Sequence, residues 1–185
     1  MNVLFNELLR KKVLIIGEVG SGKTEFTRSL LLEAFEAGYG PQITVIDMAP
    51  ERTSLNGLTV GGKLLKPGEF EVRYLSCGDI KTPRLSARSP KELLELAEHN
   101  KILLQSLLEK FIKSPTRVLF INDVSLYLHR GRIDLLWSAI EKAETAIING
   151  YYGRKLQEDL GTGLSQRERR LMSLIADKVE VLIRL

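Results

Sequence analysis

The chain has 185 residues, 44% hydrophobic and 27% charged, with a formal net charge of +4. This composition is typical of a soluble globular protein, and the small positive charge is too weak to argue for a nucleic-acid partner. A single cysteine, Cys77, excludes an intrachain disulfide.

Neither a membrane span nor a secretion signal is predicted. No apolar run approaches the roughly 20 residues that a membrane-spanning helix needs. Residues 1–10 have no basic start before an apolar stretch and are predicted to form a short amphipathic helix. No linker or internal repeat divides the chain. We therefore expect one domain over residues 1–185, in a cytoplasmic setting.

The most informative segment is a glycine-rich turn between an apolar run and a helical pattern. The apolar run is Lys12–Ile16, and the turn reads Gly-Glu-Val-Gly-Ser-Gly-Lys-Thr over residues 17–24. Glycines can take backbone angles that a Cβ forbids, so their N–H groups can approach a ligand closely. Such a nest of N–H groups, with the positive end of the following helix, favours an anion. The segment therefore predicts an anion-binding loop.

The pattern G-x-x-x-x-G-K-[ST] resembles the Walker A motif of the P-loop NTPase superfamily. The flanking strand and helix extend the resemblance over residues 11–38. It implies that the Lys23 ammonium contacts the β- and γ-phosphates and that the Thr24 hydroxyl ligates Mg²⁺. We expect the nucleotide to be bound by Gly17, Glu18, Val19, Gly20, Ser21, Gly22, Lys23, Thr24 and Glu25.

Hydrophobic periodicity predicts alternating helices and strands along the rest of the chain. Capping-box patterns, Ser89–Glu92 and Ser165–Glu168, mark two helix starts. The alternation predicts an α/β fold with a mostly parallel sheet sandwiched by helices, which is also the three-layer architecture that the P-loop resemblance implies. In chain order, we expect a helix over 23–36, a strand over 43–47, an irregular loop or small hairpin over 53–68, a strand over 70–75, a helix over 89–113, a strand over 117–123, a helix over 132–143, a strand over 146–149, a helix over 165–178 and a strand over 179–185.

Asp123 is the candidate for a Walker B-like carboxylate. It follows the apolar run Val118–Ile121 and Asn122. A P-loop site needs a carboxylate near Mg²⁺, and the end of a buried strand can supply it. The alternative is an Asp that caps the next turn. Val124 comes next, where many related ATPases place a Glu that activates water, so slow hydrolysis, a base from elsewhere and group transfer all stay open.

Polar residues at other predicted strand ends are candidates for catalysis. Asp47 resembles the acid that several P-loop kinases carry at the end of their second strand, and it is the first choice for general base. Glu51 is the second choice and Glu18 a third nearby acid. Asn149 resembles the polar residue that senses the γ-phosphate in AAA+-like ATPases. The alternatives are loop capping for Asp47, an exposed loop position for Glu18 and a turn-forming role for Asn149.

Several arginines and two tyrosines are further candidates for contact with the nucleotide or a substrate, on weaker sequence evidence. A guanidinium beside the γ-phosphate would stabilise developing charge, although charged runs are usually solvated surface. Tyr151 and Tyr152 would either stack on a base or substrate or pack as loop anchors. The arginines are Arg130, Arg132, Arg167, Arg169 and Arg170.

ATP is favoured over GTP, because the N-K-x-D pattern that reads guanine in related GTPases has no suitable match. No metal-ligand spacing joins the two histidines and Cys77, so the metal expected is the Mg²⁺ that accompanies the nucleotide. These are the only two cofactors predicted.

Three functions stay open. The first is an ATPase whose hydrolysis is coupled to an unknown partner or process, with Lys23, Asp47 and Asn149 in catalytic roles. The second is a phosphotransferase, such as a small-molecule kinase, or a related nucleotide-dependent transferase. The third is a nucleotide-gated binding module with little turnover. The sequence does not indicate the second substrate, and no nucleic-acid motif is evident. A homo-oligomer stays open, because a neighbouring subunit often supplies an arginine in the superfamily that the chain resembles.

Overall fold

Six parallel strands form the central sheet. The computed structural model describes residues 3–55, 57–66 and 68–185. The strands are β1 (Lys12–Gly17), β2 (Ile43–Asp47), the short β3 (Thr53–Leu55) and β4 (Leu58–Val60), β5 (Arg73–Ser76), β6 (Val118–Asn122), β7 (Thr145–Tyr151) and β8 (Val181–Arg184). The sheet order is β5-β2-β6-β7-β1-β8, and each neighbouring pair is parallel. β3 and β4 form a separate antiparallel hairpin.

Helices cover both faces of this sheet, which confirms the predicted α/β class. They are α1 (Lys23–Ala34), α2 (Pro83–Ser86), α3 (Pro90–Lys113), α4 (Ser125–Leu128), α5 (Ile133–Lys142) and α6 (Leu164–Ala176), with 3₁₀ turns at Phe5–Leu8 and Gly40–Gln42 and a π turn at Phe35–Tyr39. Within the described ranges, no helix is both long enough and apolar enough to cross a membrane.

Alternate side chains of the buried strands enter two separate cores. In β1, Val13 and Ile15 pack in the cluster that contains Leu30 and Leu31 of α1. Leu14 and its like-facing neighbours pack in the other cluster, with residues of α3, α5 and α6. A parallel sheet covered on both faces needs continuous apolar strands rather than alternating ones. This requirement explains why these strands are recognisable in the sequence as unbroken apolar runs.

The sheet order places the predicted site residues at one edge. β7 lies between β1 and β6, so Asn149 of β7 lies between the loop that follows β1 and Asp123, which follows β6. β2 is the next strand beyond β6, and Asp47 is its last residue. The carboxyl ends of parallel strands meet at this edge, where open α/β sheets bind ligands.

Most predicted elements are present with small shifts, and the long helix begins as predicted. The Ser89 hydroxyl accepts a hydrogen bond from the Glu92 N–H at 3.2 Å. The predicted hairpin over 53–68 is present in its described part; positions 56 and 67 lie outside the described residues. The predicted helix over 23–36 ends earlier, at Ala34, and continues as the π turn.

One local prediction is wrong, and one of the alternatives for Asn149 is excluded. Ser165 does not cap α6, because Gly163 is the N-cap residue and the Ser165 N–H donates to Asp159 Oδ2 at 2.9 Å. Asn149 does not form a turn with Gly150, because β7 continues to Tyr151 and both residues lie inside the strand. In both cases a tertiary contact replaces the local pattern: Asp159 is supplied by the preceding loop, and β1 pairs with β7 up to Tyr151.

Candidate nucleotide site

A cavity of about 460 Å³ opens at the carboxyl edge of the sheet, between the glycine-rich loop and residues 48–66. We call residues 48–66, which contain β3 and β4, the hairpin segment. The loop and the start of α1 form one wall, and the hairpin segment forms another. The lining residues are Val19, Gly20, Gly22, Lys23, Thr24, Glu25, Ala49, Arg52, Thr59, Val60, Gly61, Gly62, Lys63, Leu65, Lys66, Asp123, Asn149, Tyr151 and Leu156.

The loop has the backbone geometry that an anion site requires. Gly20 and Gly22 have φ angles of 76° and 89°, a left-handed conformation that a side chain disfavours. Among the described residues, the N–H groups of Gly20, Gly22, Lys23 and Thr24 donate to no backbone carbonyl or side chain. These groups belong to the first turn of α1 or precede it, where the helix dipole is positive. The wall is therefore a set of unpaired donors with a partial positive charge.

The Lys23 ammonium lines the cavity but bends back onto its own loop. Its Nζ donates to the Glu18 carbonyl oxygen at 2.6 Å and lies 3.5 Å from Ser21 Oγ. Burial lowers the pKa of Lys23, and the negative charges of Asp123 and Glu18 oppose that shift. A phosphate in the cavity would exchange a neutral carbonyl partner for an anionic one, which is the stronger hydrogen-bond acceptor.

Asp123 presents a carboxylate to the same cavity. Its backbone has a φ of 57°, so the chain turns sharply at the end of β6. Oδ1 accepts a hydrogen bond from the Ser125 hydroxyl at 2.7 Å, which leaves Oδ2 for another ligand. Burial raises the pKa of Asp123, while the Ser125 hydrogen bond and the Lys23 charge act in the opposite direction. A cation at Oδ2 would offset the cost of burying this charge.

The donor set fits Mg²⁺. The Asp123 carboxylate and Thr24 both line the cavity, and carboxylate and hydroxyl oxygens are the hard ligands that Mg²⁺ takes alongside water and phosphate oxygens. Within the described part of the chain, no group of three or more His, Cys, Asp or Glu side chains is arranged to hold a metal by itself. A metal here would depend on the nucleotide for most of its ligands.

A buried chain of polar side chains runs beneath the cavity and connects four elements. The Thr27 hydroxyl donates to the Lys23 carbonyl oxygen and accepts from Asn149 Nδ2, both at 2.8 Å. Asn149 Nδ2 also donates to Asn122 Oδ1 at 3.0 Å, and Asn149 Oδ1 accepts from the Asp123 N–H at 2.8 Å. The Asn149 amide therefore joins α1 to the turn that carries Asp123. Its hydrogen bonds favour a positioning role.

Asp47 continues this network away from the cavity and does not line it. Its side chain is fully buried and accepts four hydrogen bonds, from the Ala49 and Leu64 N–H groups, the Tyr74 hydroxyl and Asn122 Nδ2. Burial and the adjacent Asp47 carboxylate raise the pKa of Tyr74 well above its usual range, so the phenol stays a donor. Donors occupy both carboxylate oxygens and the side chain does not line the cavity, so this geometry favours a structural role for Asp47.

Glu18 points away from the cavity although it belongs to the loop. Its carboxylate accepts hydrogen bonds from the Val19 and Arg154 N–H groups at 2.8 and 2.7 Å, and from the Lys155 N–H at 3.2 Å. Burial alone would raise the pKa of Glu18, but these backbone donors outweigh it and lower the pKa. A Cβ at Gly153 would lie 2.5 Å from this carboxylate, so the glycine makes room for the contact.

The arginines considered in the sequence lie outside the cavity. Arg130 pairs with Glu98 and Arg132 with Asp134, and the Arg167 guanidinium donates to two backbone carbonyls. Arg169 lies over the Tyr152 ring at 4.7 Å. Arg170 is exposed in the middle of α6 and lines a separate surface depression. Tyr151 is the aromatic residue that lines the cavity, and its hydroxyl accepts the Leu156 N–H at 2.8 Å.

The structure also contains a charged cluster that sequence reasoning missed. Arg84, His129 and Glu168 are buried together, with Arg84 Nη1 2.9 Å from Glu168 Oε1 and His129 Nε2 2.7 Å from Glu168 Oε2. The sequence pattern places Glu168 in a capping box. In the structure its carboxylate instead joins α6 to α2 and to the end of α4. No local pattern predicts this cluster, because its members are far apart in the chain.

Comparisons with known proteins bear on the fold. No protein-family model matches the chain, and no curated protein matches its sequence. Among solved structures, the chain is similar to the flagellar accessory protein FlaH from Methanocaldococcus jannaschii, with a TM-score of 0.53 over 95% of this chain and 71% of that chain. The sequence identity is 13%, so the similarity concerns the fold alone. The chain has an α/β fold, in which helices cover both faces of a six-stranded parallel sheet, and this fold is similar to that of FlaH.

Proposed function

We propose that this protein binds Mg-ATP in the cavity and hydrolyses it, and that a partner or a cellular process uses the energy. The observation that supports this proposal best is the convergence of unpaired N–H groups, Lys23, Thr24 and the Asp123 carboxylate on one cavity. The N–H groups and Lys23 suit phosphate oxygens, and the Thr24 hydroxyl and the Asp123 carboxylate suit a metal that accompanies them. ATP rather than GTP is proposed because the sequence lacks the guanine-reading pattern.

Hydrolysis requires that charge on the terminal phosphate be neutralised as it transfers. A water oxygen forms a bond to the γ-phosphorus while the bond to the β–γ bridging oxygen breaks, and the electron pair stays with ADP. The proton of the attacking water is transferred to a nearby base or to an oxygen of the γ-phosphate. Lys23 and the loop N–H groups stabilise the charge on the phosphate oxygens. Thr24 and Asp123 would hold Mg²⁺, which would supply further positive charge beside the phosphate oxygens.

Hydrolysis also needs a group that accepts the proton of the attacking water. Asp47 is the sequence-based candidate, but it does not line the cavity, whereas the carboxylates of Glu25 and Asp123 do. Removal of a general base typically costs about 10²–10⁴ in rate. Turnover of Asp47→Asn beside Glu25→Gln, with nucleotide affinity measured in parallel, decides between them. A large loss in only one variant identifies the base, and small losses in both favour phosphate-assisted proton transfer.

Phosphotransfer to a second substrate is the other candidate function. The observation that favours it is the hairpin segment, which forms a whole wall of the cavity. Asp123 lies between this wall and the glycine-rich loop. A hydrolase needs only a water molecule beside the γ-phosphate and has no use for such a wall. A segment of this length inside a compact α/β domain is usually functional.

The test of nucleotide binding is a comparison of wild type with Lys23→Ala. Loss of a charged donor should weaken Mg-ATP binding by roughly tenfold or more and abolish most turnover. Lys113→Ala, which removes an exposed lysine at the end of α3, is the matched control and should leave both unchanged. Equal affinity in all three proteins would overturn the proposed site. Binding without turnover in wild type would favour a second substrate or a nucleotide-gated binding module.

A further inference from the structure

The segment between β2 and β5 is held at its base by one buried carboxylate. This is the hairpin segment, residues 48–66. Asp47 accepts the N–H of Ala49 at 3.2 Å near one end of the segment and the N–H of Leu64 at 2.6 Å near the other. The Gly62 N–H donates to the Pro50 carbonyl oxygen at 3.0 Å and joins the two arms directly. The segment therefore leaves the sheet and returns at a fixed place.

One further contact joins the base of the hairpin segment to α1, and another brings its two arms close together. Arg28 of α1 donates to the Leu64 carbonyl oxygen at 3.1 Å and pairs with Glu69 just beyond the segment. Gly61 has a φ of 76°, and a Cβ there would lie 2.7 Å from the Glu51 carbonyl oxygen. Since α1 begins at the phosphate loop, the same helix orients the loop and the base of the hairpin segment.

Three cations of the hairpin segment line the nucleotide cavity. They are Arg52, Lys63 and Lys66. Within the described residues, none of the three forms an ion pair, whereas Arg28 and Lys81 nearby do. Lys63 Nζ donates to the Ala49 carbonyl oxygen at 2.5 Å, which leaves Arg52 and Lys66, both exposed, as the freer pair.

The cations lie on the wall of the cavity that faces the glycine-rich loop across the sheet edge. The phosphate loop follows β1, Asp123 follows β6, and the hairpin segment follows β2, which is three strands from β1. At about 4.8 Å per strand, that separation is roughly 14 Å. In phosphoryl transfer the incoming group approaches in line with, and opposite to, the leaving oxygen. A group that approached the γ-phosphate from the side of the hairpin segment would meet these cations.

We propose that the cavity has a second subsite, formed by Arg52 and Lys66, which binds the oxyanion of a small-molecule substrate beside Mg-ATP. The oxyanion is a phosphate or a carboxylate, because a guanidinium fork matches both groups and an ammonium supplies a further charge. Lys63 adds positive charge at the base. The inference rests on the proposed nucleotide site, since the subsite is defined by its position beyond the bound γ-phosphate.

The test measures anion binding with the nucleotide site already filled. The full-length protein is saturated with Mg²⁺ and the non-hydrolysable analogue AMPPNP, and the binding of inorganic phosphate and of succinate is measured by calorimetry. At least one probe should bind, and the Arg52→Ala, Lys66→Ala double variant should weaken it roughly tenfold or more, with AMPPNP affinity changed less than about threefold. The double variant Arg88→Ala, Lys113→Ala removes the same charge from exposed sites outside the cavity and should bind like wild type.

The outcomes separate the subsite from the nucleotide site. Tighter binding of phosphate identifies a phosphate-bearing substrate, and tighter binding of succinate a carboxylate-bearing one. If AMPPNP abolishes probe binding that the nucleotide-free protein shows, the cations belong to the triphosphate and the second subsite is overturned. Probe binding that survives in the Arg52, Lys66 variant, or no probe binding at all, also overturns it. Failure of AMPPNP itself to bind refutes the proposed function instead.

Discussion

Asp47 shows how a single carboxylate can organise a site that it does not touch. Its four hydrogen bonds come from the two arms of the hairpin segment, from β5 and from β6. Through Asn122 the network reaches Asn149, which holds the backbone of Asp123. The cost of burying the charge is offset by these donors. Its geometric effect is to keep the hairpin segment and Asp123 at a fixed separation.

Replacement of this carboxylate should therefore affect stability more than chemistry. In Asp47→Asn one acceptor becomes a donor that faces other donors, so we expect a loss of about 1–3 kcal/mol in the free energy of unfolding. Tyr74→Phe removes one donor and should cost about 1 kcal/mol. Urea unfolding measures both. Turnover of Asp47→Asn under conditions where it is folded should fall less than tenfold; a hundredfold loss with wild-type stability would restore Asp47 as the base.

At the scale of elements, the glycine-rich loop is attached to the segment that follows β7. Glu18 accepts backbone donors from Arg154 and Lys155, and Gly153 lies against its carboxylate. The contact joins the turn after β1 to the turn after the neighbouring strand β7. It holds the side chain of a loop residue away from the cavity and leaves the loop N–H groups facing it. The same contact positions the chain that leads to Leu156, another residue of the cavity wall.

A methyl group at Gly153 tests this attachment. In Gly153→Ala the new Cβ would displace the Glu18 carboxylate from the Arg154 and Lys155 donors, so we expect Mg-ATP affinity to fall several-fold and stability to fall by about 1 kcal/mol. Gly78→Ala is the matched control, since Gly78 has open space around its Cα and no positive φ. Affinity and urea unfolding are measured for both. Identical results for the two variants would show that the attachment does not position the loop.

At the scale of the whole molecule, the Arg84–Glu168–His129 cluster joins three helical parts of the molecule that are far apart in the chain. Arg84 is on α2, Glu168 is on α6, and His129 follows α4. The Arg84 guanidinium also lies 5.3 Å from the centre of the Tyr151 ring, which lines the nucleotide cavity. Buried charges with one partner removed are strongly unfavourable, although apolar replacements for a whole pair are often tolerated. The cluster therefore fixes how α2 and α6 meet beside the site.

Removal of the shared carboxylate should be among the most destabilising single changes. Glu168→Gln leaves Arg84 buried without a counter-charge and should cost about 3–5 kcal/mol in urea unfolding near pH 7. The double variant Arg84→Met, Glu168→Leu should recover a large part of that loss. A loss below about 1 kcal/mol in Glu168→Gln would show that the pair is not coupled to folding.

The same cluster makes a signed prediction for pH. Burial would raise the pKa of Glu168, but its hydrogen bonds and attraction to His129 and Arg84 outweigh burial and lower the pKa below 4.5. A carboxyl with a lowered pKa in the folded state contributes stability that is present above its unfolded pKa and lost as the pH falls through the folded value. The difference in unfolding free energy between wild type and Glu168→Gln should therefore shrink below about pH 4.5, and an unchanged difference would contradict the assignment.

The amino-acid sequence by itself determined the class of fold, the position of the glycine-rich loop and that of Asp123 at the end of a buried strand, because each depends on local patterns. Continuous apolar runs mark buried parallel strands, and glycines at fixed spacing mark the loop. The tertiary structure decided the rest, because those features depend on residues distant in the chain. Asp47 faces the base of the hairpin segment rather than the cavity, Asn149 holds the Asp123 turn, and Glu168 pairs with Arg84 and His129 instead of capping its helix. Sequence spacing reports which side chains lie on one element; only the packing of elements determines which hydrogen-bond donors reach a carboxylate.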